Sequence, residues 1–143
     1  MISVCIATYN GEKYIKAQLE SILPQIGQDD EIIVSDDNST DNTISEIESL
    51  NDNRIKVKKN RKTIKKESQH KVFQLMDKIR LNFENALVEA KGDYIFLADQ
   101  DDIWKENKVD VLARLLEGNS NISLVSSSFV QIDSDGKEVS SNK

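Results

Sequence analysis

Three carboxylates within four positions, Asp99, Asp101 and Asp102, follow directly on the apolar run Tyr94-Ile95-Phe96-Leu97-Ala98. Carboxylates this close repel one another unless a proton or a cation lies between them. Asp99 and Asp101, one residue apart in a turn, can both direct oxygen at one hard metal ion. Magnesium and manganese accept such ligands and keep positions open for water and phosphate oxygens. A cation held by one or two carboxylates and a diphosphate neutralises charge as a phosphate leaving group departs. The only histidine is His70 and the only cysteine Cys5, so the sequence holds no Cys/His set for zinc. His70 reads as a surface residue, and Cys5, inside an apolar run, as a core residue.

Such a corner needs elements that hold it in place, and the patterning supplies them. Ile2-Ser3-Val4-Cys5-Ile6-Ala7 is a nearly continuous apolar run, the pattern of a strand covered on both faces. It stops at the turn cluster Thr8-Tyr9-Asn10-Gly11. Ile15, Leu19, Ile22 and Leu23 recur at helical spacing, with Pro24 closing that helix. Glu31-Ile32-Ile33-Val34-Ser35 is a second strand, ending at Asp36-Asp37-Asn38. Ser39 is the expected N-cap of a second helix with Ile44, Ile47 and Leu50 on one face. Arg54 to Lys58 alternates, as a third and more exposed strand does. Val72, Leu75, Met76, Ile79, Phe83, Ala86, Leu87 and Ala90 predict a long amphipathic helix, with Gly92 as its C-cap. After the fourth strand, Val109, Leu112, Ala113 and Leu116 mark a helix ending at Gly118. Ser123 to Asp133 predicts a last, long strand. Asp135-Gly136 predicts a hairpin turn, but Ser140-Ser141-Asn142-Lys143 offers no return strand, so the chain is expected to be part of a longer protein.

Strand and helix alternating in this way predict an α/β fold with a mostly parallel sheet and helices on both faces. Ligands of such sheets bind beyond the carboxyl ends of the strands. Thr8-Tyr9, Asp36-Asp37 and Asp99-Gln100-Asp101-Asp102 all fall at that edge. Tyr9 can lay its ring on a base, and Asp36 or Asp37 can accept hydrogen bonds from a base N–H or a ribose hydroxyl. Asp36-Asp37-Asn38-Ser39 equally suits a turn with a helix cap. Trp104 reads as a packing residue. The glycines are scattered without the spacing of a phosphate-binding loop, so phosphates must be held by metal and basic side chains. Between Lys56 and Lys71 there are eight Lys/Arg residues and one acid, Glu67. This segment is either a solvated loop or a basic strap over a polyanionic ligand.

The 143 residues suit one domain, and 38% hydrophobic with 31% charged residues suits a soluble globular one. A net charge of -6 argues against general nucleic-acid binding. One cysteine excludes an intramolecular disulfide, consistent with a reducing cytosol. No run reaches the roughly 18 apolar residues of a membrane span, and Met1 leads straight into a strand without a signal peptide.

Three blocks of the sequence resemble the family 2 glycosyltransferases of GT-A fold, enzymes of bacterial polysaccharide synthesis. The blocks are Ser3 to Asn10, Glu31 to Thr43 and Gly92 to Trp104, and together they span most of the chain. The form Asp-Gln-Asp-Asp-Ile-Trp, with Asn82-Phe83 upstream, is most similar to the rhamnosyltransferase-like branch. The resemblance implies that Ala7, Thr8 and Tyr9 line a nucleotide base pocket and that Asp37 contacts the base. It implies that Asp99 lies near the ribose and that Asp101, with Asp99, belongs to an Asp-x-Asp metal motif for manganese or magnesium. The implied reaction moves a sugar from a nucleoside-diphosphate sugar, such as a UDP- or dTDP-sugar, to a hydroxyl of a saccharide or lipid-linked acceptor, with inversion. It would take place in the cytoplasm or at the inner face of the membrane.

Two departures stand out. Asn60 is followed by Arg61 and Lys62, and Leu81 to Glu84 stands where many relatives have Arg-Asn-x-Gly, so the phosphate-facing cation among Arg61, Lys62, Lys65 and Lys66 is unassigned. The general base that an inverting transferase needs is expected beyond residue 143. Residues 1–143 are thus expected to form a single donor-binding domain, the N-terminal part of a longer enzyme. Two rivals share the architecture: a receiver-type magnesium-binding signalling domain, and a nucleotide-sugar-binding module without turnover. The receiver would need an acidic pair where this chain has Thr8-Tyr9, and a lysine where it has Asp133.

Overall fold

A computed structural model of the chain describes residues 1–60, 70–133 and 136–139. Among the described residues four strands and four α-helices alternate: β1 (Ile2–Thr8), α1 (Ile15–Ile22), β2 (Glu31–Asp36), α2 (Thr43–Ser49), β3 (Ile55–Lys59), α3 (Lys71–Glu89), β4 (Tyr94–Asp99) and α4 (Lys108–Glu117). The strands form one parallel sheet in the order β3-β2-β1-β4. Two compact units are present, Met1–Lys108 with the sheet and Val109–Lys143 with most of α4.

The sheet is buried where the apolar runs are longest. Val4, Cys5, Ile6, Ile32, Ile33 and Val34 have no exposed surface. Each such side chain contributes about 1.5–3 kcal/mol on leaving water. Alternation divides them between the faces. Cys5 and Ile33 meet Ala86 of α3 on one face, while Val4, Ile6, Ile32, Val34, Phe96 and Ala98 form the other. Helices α1 and α2 touch one another and bury Ile15, Leu19, Ile22 and Ile47. Trp104 is buried with its ring tilted against Phe96 at 5.7 Å, which confirms it as a packing residue. Cys5 is a core thiol, pushed up to about 11 by burial and then by the nearby Glu31 charge.

The amino end of the sheet is closed by a carboxylate. Glu31, 2% exposed, accepts hydrogen bonds from Ser3 Oγ at 2.7 Å, Lys56 Nζ at 2.6 Å and the Lys91 amide at 2.8 Å. Its burial is tolerated because both oxygens are paired.

Several expectations need correction. The helix start expected at Ser39 lies at Thr43, because the Ser39 amide and hydroxyl are spent on the Asp36 carboxylate while Asp41 accepts from the Thr43 amide. Gly92 is not a helix cap. Helix α3 ends at Glu89, and a Cβ on Gly92 would lie 2.5 Å from the Ser3 nitrogen, so the glycine serves a close backbone approach. The strand expected over Ser123–Asp133 does not form. Only an isolated antiparallel bridge joins Ile132 to Glu138, and Leu124 and Phe129 are 85% and 86% exposed. A strand pattern persists as sheet only where another strand satisfies its backbone groups. Gly136 turns at φ +76°, as the hairpin reading anticipates. Asp135 and residues 140–143 lie outside the described residues. No helix among the described residues is long and apolar enough to cross a membrane.

Candidate functional site

Parallel register brings the polar strand ends to one edge. Ala7 pairs with Asp99 on one side and Ser35 on the other, and Thr8 pairs with Asp36, which pairs with Lys59. With strands about 4.8 Å apart, the ends of β2 and β4 lie roughly 10 Å apart with β1 between them. Ala7 is half-buried and Thr8 buried, while Tyr9 is 55% exposed, its ring free to meet a planar ligand.

Side-chain amides knit these ends together. Gln100 Oε1 accepts from Thr8 Oγ1 at 2.6 Å and from the Tyr9 amide at 3.0 Å, while its Nε2 donates to the Tyr9 carbonyl at 3.3 Å. Asn82, buried on α3, donates to the Thr8 carbonyl at 3.1 Å and accepts from Ser35 Oγ at 2.6 Å. Asn85 donates to the same Ser35 hydroxyl at 2.8 Å. The Asn60 amide donates to the Asp36 carbonyl at 2.7 Å, and Asn60 Nδ2 donates to Asp37 Oδ1 at 3.1 Å.

The two acids ending β2 are thereby distinguished. Asp36 is buried and committed to Ser39, the turn role that the sequence left open. Asp37 is half-buried, leaving acceptor capacity beside Asn60. The loops after β1 and β2 are zipped together as well. Asn10, at φ 49°, donates its amide to Ser39 Oγ and accepts from the Thr40 amide, and the Gly11 amide donates to Thr43 Oγ1 at 2.7 Å.

At the end of β4, Asp99, Asp101 and Asp102 are all exposed. Crowding by protein atoms, then the Asp102 and Asp101 charges, hold the Asp99 carboxyl above its usual range. A cation relieves such repulsion, and an all-oxygen donor set fits magnesium or manganese. Among the described residues no group of three or more His, Cys, Asp or Glu side chains converges as a ready-made metal cage. One hollow of about 400 Å³ is lined by residues including Ile47, Asn51 and Val57, and another of about 300 Å³ lies beside the end of β3, lined by Lys58, Lys59, Asn85 and Glu89. Neither hollow is lined by Tyr9, Asp37 or the acids at the end of β4. Arg61, Lys62, Lys65 and Lys66 lie outside the described residues.

Sequence patterning missed Gln100, Asn85 and Asn60. Asn82 carried a legible signal, since it stands four residues before Ala86 on the buried stripe of α3, where a polar side chain must find partners.

An α/β sheet with a polar, acid-bearing carboxyl edge defines a ligand-binding domain of the doubly wound class. Comparison with known proteins narrows this. Residues 3–74 match the family model for Glycosyl transferase family 2, and the chain belongs to that family. It is 32% identical over 138 residues to the glycosyltransferase GlyG of Streptococcus pneumoniae serotype 4, a match covering 95% of this chain and 42% of the relative. It is 31% identical to the UDP-Glc:alpha-D-GlcNAc-diphosphoundecaprenol beta-1,3-glucosyltransferase WfgD of Escherichia coli, covering 100% of this chain and 52% of the relative. The dTDP-rhamnosyl transferase RfbG of Shigella flexneri is 33% identical over 81% of this chain and 38% of its own. The chain thus spans about half, or less, of the length of these relatives. Staphylococcus aureus TarS 1-349 in complex with UDP-GlcNAc superposes with a TM-score of 0.63 at 26% identity, over 82% of this chain and 31% of its own. Glucosyl-3-phosphoglycerate synthase of Mycobacterium tuberculosis, solved with Mn2+ and UDP, shares the fold at a TM-score of 0.60 and 22% identity, over 81% of this chain and 39% of its own. The fold is of the GT-A type.

Proposed function

We propose that this chain is the donor-binding domain of an inverting, metal-dependent glycosyltransferase of cell-surface polysaccharide synthesis. The observation that carries the reading is the meeting of Tyr9, Asp37 and the Asp99–Asp101 pair along one sheet edge, over a span suited to a nucleoside diphosphate. Relatives named for UDP-glucose and dTDP-rhamnose transfer support it, as does a neighbour of like fold solved with UDP-GlcNAc.

In this reading Tyr9 stacks on the base, and half-buried Ala7 leaves room beneath it while Thr8 fixes the loop. Asp37, oriented by Asn60, accepts a base N–H. Asp99 receives a ribose hydroxyl, and Asp101, assisted by Asp99, holds manganese or magnesium. The cation would stabilise the diphosphate as it departs. A general base contributed by polypeptide beyond residue 143 would deprotonate the acceptor hydroxyl. The 143 residues therefore bind donor but transfer sugar slowly by themselves. The acceptor in this reading is a saccharide or a lipid-linked sugar, such as the GlcNAc-diphosphoundecaprenol for which one relative is named, met in the cytoplasm or at the inner membrane face.

Calorimetry with UDP, dTDP and GDP, in manganese and in EDTA, tests the assignment. Metal-dependent binding of one nucleotide, lost in Asp101→Ala, is the expected result. Failure of all three to bind, with an aspartate accepting phosphate from acetyl phosphate instead, would sink it in favour of a receiver domain.

A further inference from the structure

We propose that Gln100 is a positioning residue that couples metal occupancy at Asp99 and Asp101 to the geometry of the Tyr9 loop. This inference rests on the nucleotide reading above. Gln100 stands between the two acids in the chain, so its backbone moves with theirs. Its side chain reaches back to residues more than ninety positions earlier and binds both backbone groups of Tyr9 and the Thr8 hydroxyl. Beyond the ladder that pairs Ala7 with Asp99, this side-chain amide links the acidic corner directly to the aromatic loop.

The chemistry of the link is specific to glutamine. Tyr9 presents a donor and an acceptor, and the carboxamide at the end of this long side chain answers both at once. A glutamate here would set a carboxylate oxygen against the Tyr9 carbonyl and add a fourth charge to a corner where Asp99 is already crowded by like charge. An asparagine is one methylene short. Gly11 has adapted to the link, since a Cβ there would lie 2.4 Å from Gln100 Oε1. The loop it holds contains Asn10 in the left-handed region at φ 49°, a conformation that asparagine adopts more readily than most residues.

Ordering of the Asp99–Asp102 turn by a cation therefore orders Tyr9 to Gly11 even before a nucleotide bridges the two. By linkage, a base seated on Tyr9 raises cation affinity by the same factor. The device lets the site read metal and base as one event rather than two.

The test uses magnesium alone, with no nucleotide present, so the diphosphate bridge cannot contribute. Amide hydrogen exchange is followed at Asn10 and Gly11, whose N–H groups donate to Ser39 and Thr43 and not to Gln100. In the unaltered protein, saturating Mg2+ is expected to slow exchange at both by about fivefold or more. In Gln100→Ala and in Gln100→Glu that response should fall below about twofold, while amides of residues 99–102 still shift on Mg2+ addition. A role confined to stability would lower the melting temperature of the variants and leave the magnesium response intact. Persistence of the response in both variants overturns the proposal, and so does its absence in the unaltered protein when residues 99–102 register the metal. If Mg2+ moves no amide in 99–102 and UDP, dTDP and GDP all fail to bind with manganese, the nucleotide reading itself is what fails, and the coupling falls with it.

Discussion

Asn82 Nδ2 donates to the carbonyl of Thr8 at 3.1 Å, across 74 positions of sequence. The same side chain accepts from Ser35 Oγ, so one buried amide of α3 fixes the ends of β1 and β2 together. Asn82→Ala removes one of the two donors to the Thr8 carbonyl, which keeps the Asp37 amide at 2.9 Å, and leaves Ser35 with Asn85 as its remaining side-chain partner. A loss of about 1–2 kcal/mol is expected, the size of two ordinary hydrogen bonds, measured as a lowered urea midpoint with an unchanged slope. Restoration of full stability by Asn82→Leu, which packs but does not pair, would show that volume rather than hydrogen bonding matters here.

Gly11→Ala drives a methyl group onto Gln100 Oε1, 2.4 Å from the ideal Cβ position. The fold can yield because the clash is with the end of a side chain, but the Tyr9 clamp then opens. Nucleotide affinity is expected to fall by about tenfold, within the range of coupling between linked sites, while the melting temperature changes little because the Gln100 side chain can move aside. Titration calorimetry beside a thermal melt separates the two effects.

Acid stability should carry the signature of Asp52. The Arg54 side chain holds that carboxyl down to about 2, with a bidentate contact of 2.9 Å and 2.7 Å. A carboxyl depressed in the folded state stabilises above its unfolded pKa, and the contribution fades as pH falls through the folded value. Between about pH 4 and pH 2, the unaltered protein should therefore lose stability more steeply than Asp52→Asn. Urea midpoints across that window would converge at the acid end.

Cys5 should be inert in the folded chain. It has no exposed surface and its thiol is raised to about 11, so neither access nor thiolate is available near neutral pH. Labelling by Ellman's reagent is expected to proceed only through global unfolding, with a urea dependence matching the unfolding transition. Rapid labelling in native buffer would mean that α3 lifts from the sheet far more readily than its packing implies.

Much of the parallel sheet was legible because buried parallel strands are apolar on both faces and leave continuous runs, as in Val4–Ile6 and Ile32–Val34. The edge strand β3 was legible for the opposite reason, through its alternation. Ser123–Asp133 misled because a strand pattern records what a segment could pair with, and pairing is a property of the partner. Ser39 and Gly92 misled for a shared reason. Both have the residue type of a cap, yet each is used otherwise, Ser39 by the Asp36 carboxylate and the Asn10 amide and Gly92 by the close approach of Ser3.

The sequence by itself determined the order of strands and helices, the acidic corner at Asp99-Gln100-Asp101-Asp102 and its company of Tyr9 and Asp37, because periodicity and strand-end composition are local. Tertiary structure showed how the two acids differ, with Asp36 spent on a turn and Asp37, the one the family resemblance singles out, keeping acceptor capacity. It alone showed that Gln100, the residue between the acids, holds the Tyr9 loop. Hydrogen bonds between residues more than seventy positions apart depend on sheet register and helix placement, and no local pattern encodes them.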